Sequence, residues 1–478
     1  MACHLAVVWL QPGLPLGDAD TGWHLATGRL MWAEGRIPDE DPFSHTRAGA
    51  PWLPHEWLFQ LCAAGLEKIG GLRLVVAACA LLLACVPMLT AWQLERRGVD
   101  RRLAFASGFL LYVSMLMHAY ARPHIVTYLF FAILWWLLED LPRAGRPAIL
   151  VAGAGALSAL WANLHGGFVA GWLLVGVFGS GALFEGWRGG PRPGRWREAG
   201  WYAAAGLACA AGTLLNPHGL GLHRMVFHIL LDLELTRYCQ EFVSPNFKSG
   251  IASLRAFEIM LLALLGLGAA RGPRMRFRDW LAISVFLVIA LGTVRHVILW
   301  MLVAAPIAAR AWNDVLVGDG ASGERAVAGG ARALGCASGL AVAWLAAVMA
   351  FGSHFPRTVV GRRISEATVR VLEGRAAELM PLFNQDDFGG DLIGAVWPKV
   401  RVFVDGRADF YGDEFMIGEY LPAINAGPGF ERVLDKYGVR GVLLAPARPL
   451  GAALEATGRW SLIHRDAKNE IWVRGRAP

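Results

Sequence analysis

The chain has 478 residues, 55% of them hydrophobic and only 17% charged, whereas a soluble domain carries roughly 25% charged residues. Its formal net charge of +7 is gathered in short basic clusters between apolar runs, which excludes a nucleic-acid-binding face and points to membrane topology. The seven cysteines form no CxxC pair, and Cys79, Cys85, Cys209 and Cys336 lie in apolar runs as small hydrophobes, so neither a disulfide nor a metal framework built on cysteine is expected.

The chain opens with ACHLAVVWL (2–10), too short to cross about 30 Å of hydrocarbon as a helix; it reads as the remainder of a first span. A long polar loop comes next, GDADTGWHLATGRLMWAEGRIPDEDPFSHTRAGAPWLPHEWLFQ, in which 23–32 and 55–66 have the spacing of amphipathic helices suited to a membrane interface. Apolar runs of spanning or near-spanning length then occur at 72–93, 103–120, 124–139, 148–162, 168–187, 199–215, 256–271, 280–294, 297–312 and 332–352. NLHGG (163–167) interrupts two of them and suits either a tight helix crossing or a site, and NPH (216–218) suits a helix end. The Gly/Ala/Ser-rich stretch around 313–331 reads as a flexible loop.

Ordinary charge density returns after about 355. KVRVFVDGRADFYG (399–412), VRGVLLAP (439–446), WSLIHR (460–465) and EIWVRG (470–475) alternate like strands, while ISEATVRVLEGRAAELM (364–380) and FERVLDKYG (430–438) have helical spacing. The expected fold is a polytopic α-helical membrane protein of about ten or eleven spans with a C-terminal periplasmic α/β domain. Its expected divisions are 1–71 (residual span and first periplasmic loop), 72–352 (transmembrane domain) and 353–478 (periplasmic domain).

Basic residues sort the loops. Arg96, Arg97, Arg101 and Arg102, then Arg143 and Arg146, then 188–198, 271–279 and Arg310, Arg325 and Arg332 fall on alternate loops, which are therefore expected to be cytoplasmic. The basic-poor set at 121–124, 163–167, 216–255 and 294–296 faces outward with 18–71 and the tail, in a bacterial inner membrane. Asp18, Asp20, His24, His55, Glu56, Arg122, His124, Asn163, His165, Asn216, His218, Glu241, Arg295 and His296 all fall on that outer side. A charge at mid-membrane costs roughly 2.5–3.5 kcal/mol, so a one-sided set marks a site, although snorkelling to the interface serves for any one member.

Asp20 either caps the helix after it or, with Asp18, Asp41, His55 and Glu56, binds a divalent cation such as Mg or Mn or supplies a general base. Arg122 and His124 open one span, and Arg295 and His296 close another. A guanidinium beside an imidazole suits a phosphate, whether a substrate's or an ordinary phospholipid's. In the tail, NQDDFGGDL (384–392) is rich in turn formers, and Asp405 and Asp409 flank Arg407 in either an ion-paired turn or part of a site.

With these features in view, the chain resembles the GT-C superfamily of membrane glycosyltransferases, which use polyprenyl-phosphate or polyprenyl-diphosphate sugars. DTGWHLATGRL is similar to the DPWFNYRAT-type segment of oligosaccharyltransferase catalytic subunits, and DDFGG (386–390) stands where those subunits carry WWDYG. The combination DADTGWHLATG, DPFSHT, HEWL, ANLHGGF, NPHG and VFVDGRADFYG is closer still to a set of uncharacterised bacterial membrane proteins. The resemblance puts Asp20 at the position of a catalytic, metal-binding aspartate; the tryptophans of WWDYG are missing, so a peptide acceptor is not expected.

The resemblance implies an inverting glycosyltransferase that moves a sugar from a polyprenyl-linked donor to a glycan, lipid or protein acceptor, among membrane lipids and without nucleic acid. Asp20, Asp18 and Glu56 are the expected catalytic carboxylates, with Asp20 and Asp18 also the metal candidates. Arg122, His124, Arg295 and His296 are expected at the donor phosphate. His24, His55, Asn163, His165, Asp387, Asp405 and Arg407 are expected to shape the site or meet the acceptor. The alternative is a non-catalytic lipid-glycan transporter or envelope-polysaccharide assembly protein.

Overall fold

The computed structural model describes residues 1–188, 193–231, 234, 240–270, 275–317, 326–360 and 362–475. Residues 318–325 of the Gly/Ala/Ser-rich stretch, and parts of the basic loops at 188–198 and 271–279, lie outside the described residues. The short α1 (Ala2–Leu10) is succeeded by α2 (Thr21–Glu34) and α3 (Trp57–Gly70). The helical bundle comprises α4 (Leu72–Arg96), α5 (Arg101–Met115), α6 (His124–Asp140), α7 (Pro147–Leu164), α8 (Phe168–Arg188), α9 (Pro193–Thr213), α10 (Leu220–Leu231), α11 (Ala252–Ala269), α12 (Phe277–Gly292), α13 (Val297–Leu316) and α14 (Ala326–Phe351).

Every apolar run read from the sequence is a helix, with ends shifted by a few residues. Among the described residues five stretches, Leu72–Arg96, His124–Arg143, Pro147–Leu164, Phe168–Arg188 and Val294–Leu316, are long and apolar enough to cross a membrane. Aromatic side chains fill the bundle interior: Phe131, Trp135, Trp161, Phe178, Phe286 and Trp300 are almost wholly inaccessible.

The C-terminal part contains α15 (Glu366–Gly374), α16 (Ala376–Leu379), β1 (Leu382–Asn384), α17 (Asp386–Val396), α18 (Ala408–Phe415), β2 (Gly441–Leu444), β3 (Trp460–Arg465) and β4 (Glu470–Arg474), with further short helices between α18 and β3. The sheet order is β1-β2-β4-β3. Parallel pairing sets Phe383 opposite Val442, and antiparallel pairing sets Val442 opposite Trp472.

Three local expectations are corrected. The stretch 384–392 is the end of β1 and the opening of a helix rather than a turn: Asp386 and Asp387 lie in the first turn of α17, where acidic side chains favour the positive end of the helix dipole. The stretch 399–412 is no regular strand; it makes an isolated bridge between Val402 and Ser44 and then enters α18. And α2 is no interfacial amphipathic helix, because Thr21 to Gly28 are all buried, enclosed by α3 on one side and α17 on the other.

That enclosure results from packing. Trp23, Ala26, Phe43 and Trp52 of the first loop share one apolar core with Leu392, Ile393, Val396 and Val402 of the C-terminal part. Hydrogen bonds stitch the seam: Thr46 Oγ1 donates to the Phe403 carbonyl at 2.6 Å, and Trp397 Nε1 to the Pro42 carbonyl at 3.0 Å. The first loop is thus built into the C-terminal domain, and α2 delivers its acidic start to the junction between that domain and the bundle.

Candidate active site at the domain end of the bundle

Asp20 occupies the N-cap position of α2, yet its side chain makes no capping hydrogen bond. It turns instead to Arg122, with Oδ2 2.7 Å from Nη2, so the capping alternative is set aside. Asp18 braces the turn: its Oδ1 accepts from the Asp20 amide at 2.8 Å. Arg122 Nη1 donates to Asp18 Oδ2 at 2.9 Å and to Glu241 Oε1 at 2.8 Å. The guanidinium reaches this point because the chain before α6 is tied to the first loop, the Ala121 amide donating to the Pro15 carbonyl at 2.7 Å. Arg295 extends the network, its Nη1 3.7 Å from Glu241 Oε2 and its guanidinium over the Phe242 ring.

The domain closes over this cluster by backbone contact. A Cβ added at Gly22 would fall 2.1 Å from the Gly390 carbonyl oxygen, and one at Gly390 would fall 2.0 Å from that of Ala19. The glycines of DDFGG therefore let α17 lie directly on the start of α2. A Cβ at Gly406 would sit 1.8 Å from Asp20 Oδ1. Its neighbours are locked: Arg407 bonds Asp405 through Nε at 2.8 Å and Nη2 at 2.7 Å, and its Nη2 is 2.8 Å from Asp41. The guanidinium lies 4.6 Å from the Trp52 ring centre, and Tyr411 Oη donates to Asp405 at 2.9 Å. Asp405 and Arg407 hold Gly406 against Asp20 and are themselves buried.

A second group surrounds Glu56. Its Oε1 is 3.5 Å from His165 Nε2 and 3.6 Å from His55 Nε2, and its Oε2 is 3.6 Å from His24 Nδ1. The Gly167 amide donates to His165 Nδ1 at 3.0 Å. The neutral ring therefore carries its proton on Nε2, as a donor toward Glu56 rather than as a metal ligand.

Burial sets the acidity of these groups. It raises Asp20 to about 7, with Arg122 pulling down and Asp18 pushing up. Burial also raises Asp391 to about 7, against the pull of Arg363. Glu241 moves the other way: burial is outweighed by Arg122 and Arg295, which hold it near about 2. Burial raises Glu56 and keeps His24 neutral well below its ordinary range.

The remaining expected residues divide. His124 Nε2 donates to the His118 carbonyl at 2.8 Å and serves the start of α6. Asn163 is saturated, donating to the Ala159 and Leu215 carbonyls and accepting from Trp57 Nε1, so it ties α7 to the turn just after α9 and to α3. His296 keeps Nδ1 buried without a hydrogen-bond partner among the described residues. Asp387 is exposed on α17 and bonded to Gln385; it does not join the cluster.

Three contributors carry no role in the sequence reading. Glu241 was legible only as an outer-side acid, Asp391 lay in plain view inside DDFGGDL, and Gly406 acts by leaving space, which no residue pattern announces. Among the described residues no three His, Cys, Asp or Glu side chains are arranged to hold a metal ion, and the oxygens of Asp18 and Asp20 expected to do so face N–H donors and the Gly406 backbone.

The bundle, the acidic loop after its first helix and the small terminal domain together make a fold shared with solved GT-C glycosyltransferases. One is the apo oligosaccharyltransferase of Archaeoglobus fulgidus (TM-score 0.54, 12% identity, 93% of this chain and 69% of that one). That enzyme was also solved with zinc and sulfate (TM-score 0.52, 12% identity, 92% of this chain and 68% of that one). Another is ArnT from Cupriavidus metallidurans bound to undecaprenyl phosphate (TM-score 0.50, 16% identity, 100% and 97%). A third is the mycobacterial arabinofuranosyltransferase AftD (TM-score 0.53, 14% identity), of which this chain spans 41%. No protein-family model matches the chain, and no curated protein sequence does. At these identities the likeness establishes the fold; with the five apolar helices it makes this a multi-pass membrane protein.

Proposed function

We propose that the protein is a glycosyltransferase that moves a sugar from a polyprenyl-phosphate or polyprenyl-diphosphate donor to a periplasmic or lipid-linked acceptor. The observation that carries this reading is Asp20: a carboxylate raised by burial to about 7, at the junction of bundle and domain, beside guanidinium groups suited to a phosphate. A general base works best with a pKa near the operating pH. The ArnT neighbour's bound undecaprenyl phosphate supports a donor of that class, and the basic loops support a cytoplasmic side opposite the site.

In this reading Asp20 takes the proton of the acceptor hydroxyl as its oxygen attacks the anomeric carbon from the face opposite the phosphate. The bond from that carbon to the phosphate oxygen breaks, the configuration inverts, and Arg295 and Arg122 face the negative charge left on the phosphate. Glu56 and its three imidazoles orient the sugars by hydrogen bonding.

The test is mass spectrometry of envelope glycans and polyprenyl-linked sugars in a deletion strain, complemented with native protein or Asp20→Asn. A glycan that vanishes, a donor that accumulates, and restoration by the native form alone support the transferase. Full restoration by the Asn form overturns it and favours a carrier of lipid-linked glycans.

A further inference from the structure

An acidic pair in the first loop suggests a divalent cation, and the structure disagrees. Asp18 Oδ1 accepts the Asp20 amide at 2.8 Å, and Asp18 Oδ2, Asp20 Oδ2 and Glu241 Oε1 converge on one guanidinium at 2.9, 2.7 and 2.8 Å. Asp20 Oδ1 abuts Gly406, and Glu241 Oε2 faces Arg295. A hard divalent ion needs several of these oxygens at about 2.0–2.6 Å from one point, and that point is filled by a side chain.

We infer that Arg122 is the resident cation of this cluster: a tethered guanidinium holds the acidic loop together where a metal ion was expected, so the native protein binds no divalent metal there. Arg122 is well suited to stay. Its charge persists at any working pH, its planar fork meets carboxylates on two nitrogens, and its backbone is anchored by the Ala121–Pro15 hydrogen bond. The charge count agrees, because the negative charge left over after Arg122 and Arg295 is relieved when buried Asp20 keeps a proton. The corollary is that removing the guanidinium leaves three carboxylates facing one space, which becomes a divalent site. This inference rests on the ion network and stands whether or not the proposed transfer reaction is correct.

The test uses the full chain, purified in detergent, stripped with EDTA and titrated with Mn²⁺ under electron paramagnetic resonance. Native protein and Asp20→Asn are expected to show the same weak binding, with no saturable site tighter than about 1 mM, the weak end of biological oxygen sites. Arg122→Ala is expected to gain one site at least about tenfold tighter, lost again in Arg122→Ala/Asp20→Asn, and its unfolding temperature is expected to rise with Mn²⁺ while the native one does not move. A stoichiometric Mn²⁺ site in native protein that Asp20→Asn abolishes overturns the inference, and so does a folded Arg122→Ala that gains none. Should Arg122→Ala fail to fold, the native and Asp20→Asn titrations still decide. An outcome in which the native protein stays metal-free yet transfers no sugar sinks the transferase reading and leaves this one intact.

Discussion

The two ends of α6 carry ion networks of different charge balance. Just before the helix, Arg122 is held by Asp18, Asp20 and Glu241, with Arg295 beside Glu241. In its last turn, about 22 Å away at the rise of an α-helix, Glu139 is held by Arg97, Arg278 and Arg310 at 2.6, 2.6 and 2.8 Å. There Asp140 also bonds Arg97, and Asp279 lies 3.7 Å from Arg278, so three arginines meet three carboxylates. At the domain end two arginines meet three carboxylates. Exposure is graded within both: at the far end the Glu139 and Arg278 side chains are 4% and 6% accessible while those of Arg310 and Asp140 are 22% and 44%, and at the domain end those of Arg122 and Glu241 are 18% and 32%. A balanced network around a buried Glu139–Arg278 pair is a clamp joining α4, α6, α12 and α13. In the unbalanced one, burial, with Asp18 pushing the same way, holds Asp20 at about 7, the range a general base works in.

Paired substitutions break that comparison most sharply. Asp20→Asn should lower transfer by about 10²–10⁴-fold, the usual worth of a general base, while the unfolding temperature holds or rises. Glu139→Gln should do the reverse, costing about 3–5 kcal/mol of stability because it strands buried arginines. Sugar transfer assays beside thermal unfolding in detergent read both, and two variants with the same profile would falsify the division. Next in size, Gly406→Ala must push Asp20 off Arg122, and a displacement near 1 Å costs about 10²-fold in rate; turnover falling with little change in donor affinity is the expected signature.

A pH series sharpens the comparison further. Asp20 and Asp391 hold their protons to about 7 when folded but release them near the ordinary 3.8 when unfolded. The folded state therefore binds more protons at these two sites between those values, so their contribution to stability is full below about pH 4 and is lost as pH rises through 7. Transfer should climb over the same upper range as Asp20 ionises. Asp391→Asn should flatten the stability decline in pH-dependent unfolding and leave the rate profile in place. Smallest of all, Tyr202→Phe removes a hydroxyl bonded to Arg278 and the Leu138 carbonyl and should cost about 0.5–1.5 kcal/mol.

Much of this architecture is legible in the chain because membrane helices obey a one-dimensional rule of length and apolarity, and the acidic loop is legible because its charges stand against that background. What escapes is pairing at a distance. Asp18 and Arg122 are separated by a hundred positions, and neither periodicity nor composition says that one guanidinium serves three carboxylates. The far-end arginines read correctly as a basic set, yet Arg97, Arg278 and Arg310 also converge on Glu139, a single acid hidden in the run FFAILWWLLED. DDFGG reads as a turn because glycine signals bends; here its glycines are absences of side chain that let two helices touch.

That touching has a consequence for traffic. Where Gly22 and Gly390 meet, main chain lies on main chain, and no rotamer can swing aside to make an opening. Lifting the domain would mean tearing Trp23, Phe43 and Trp52 out of a shared core. If the proposed donor is right, the route to Asp20 that leaves this seam intact runs sideways, between helices of the bundle, with the domain above it held shut by main chain rather than by side chains.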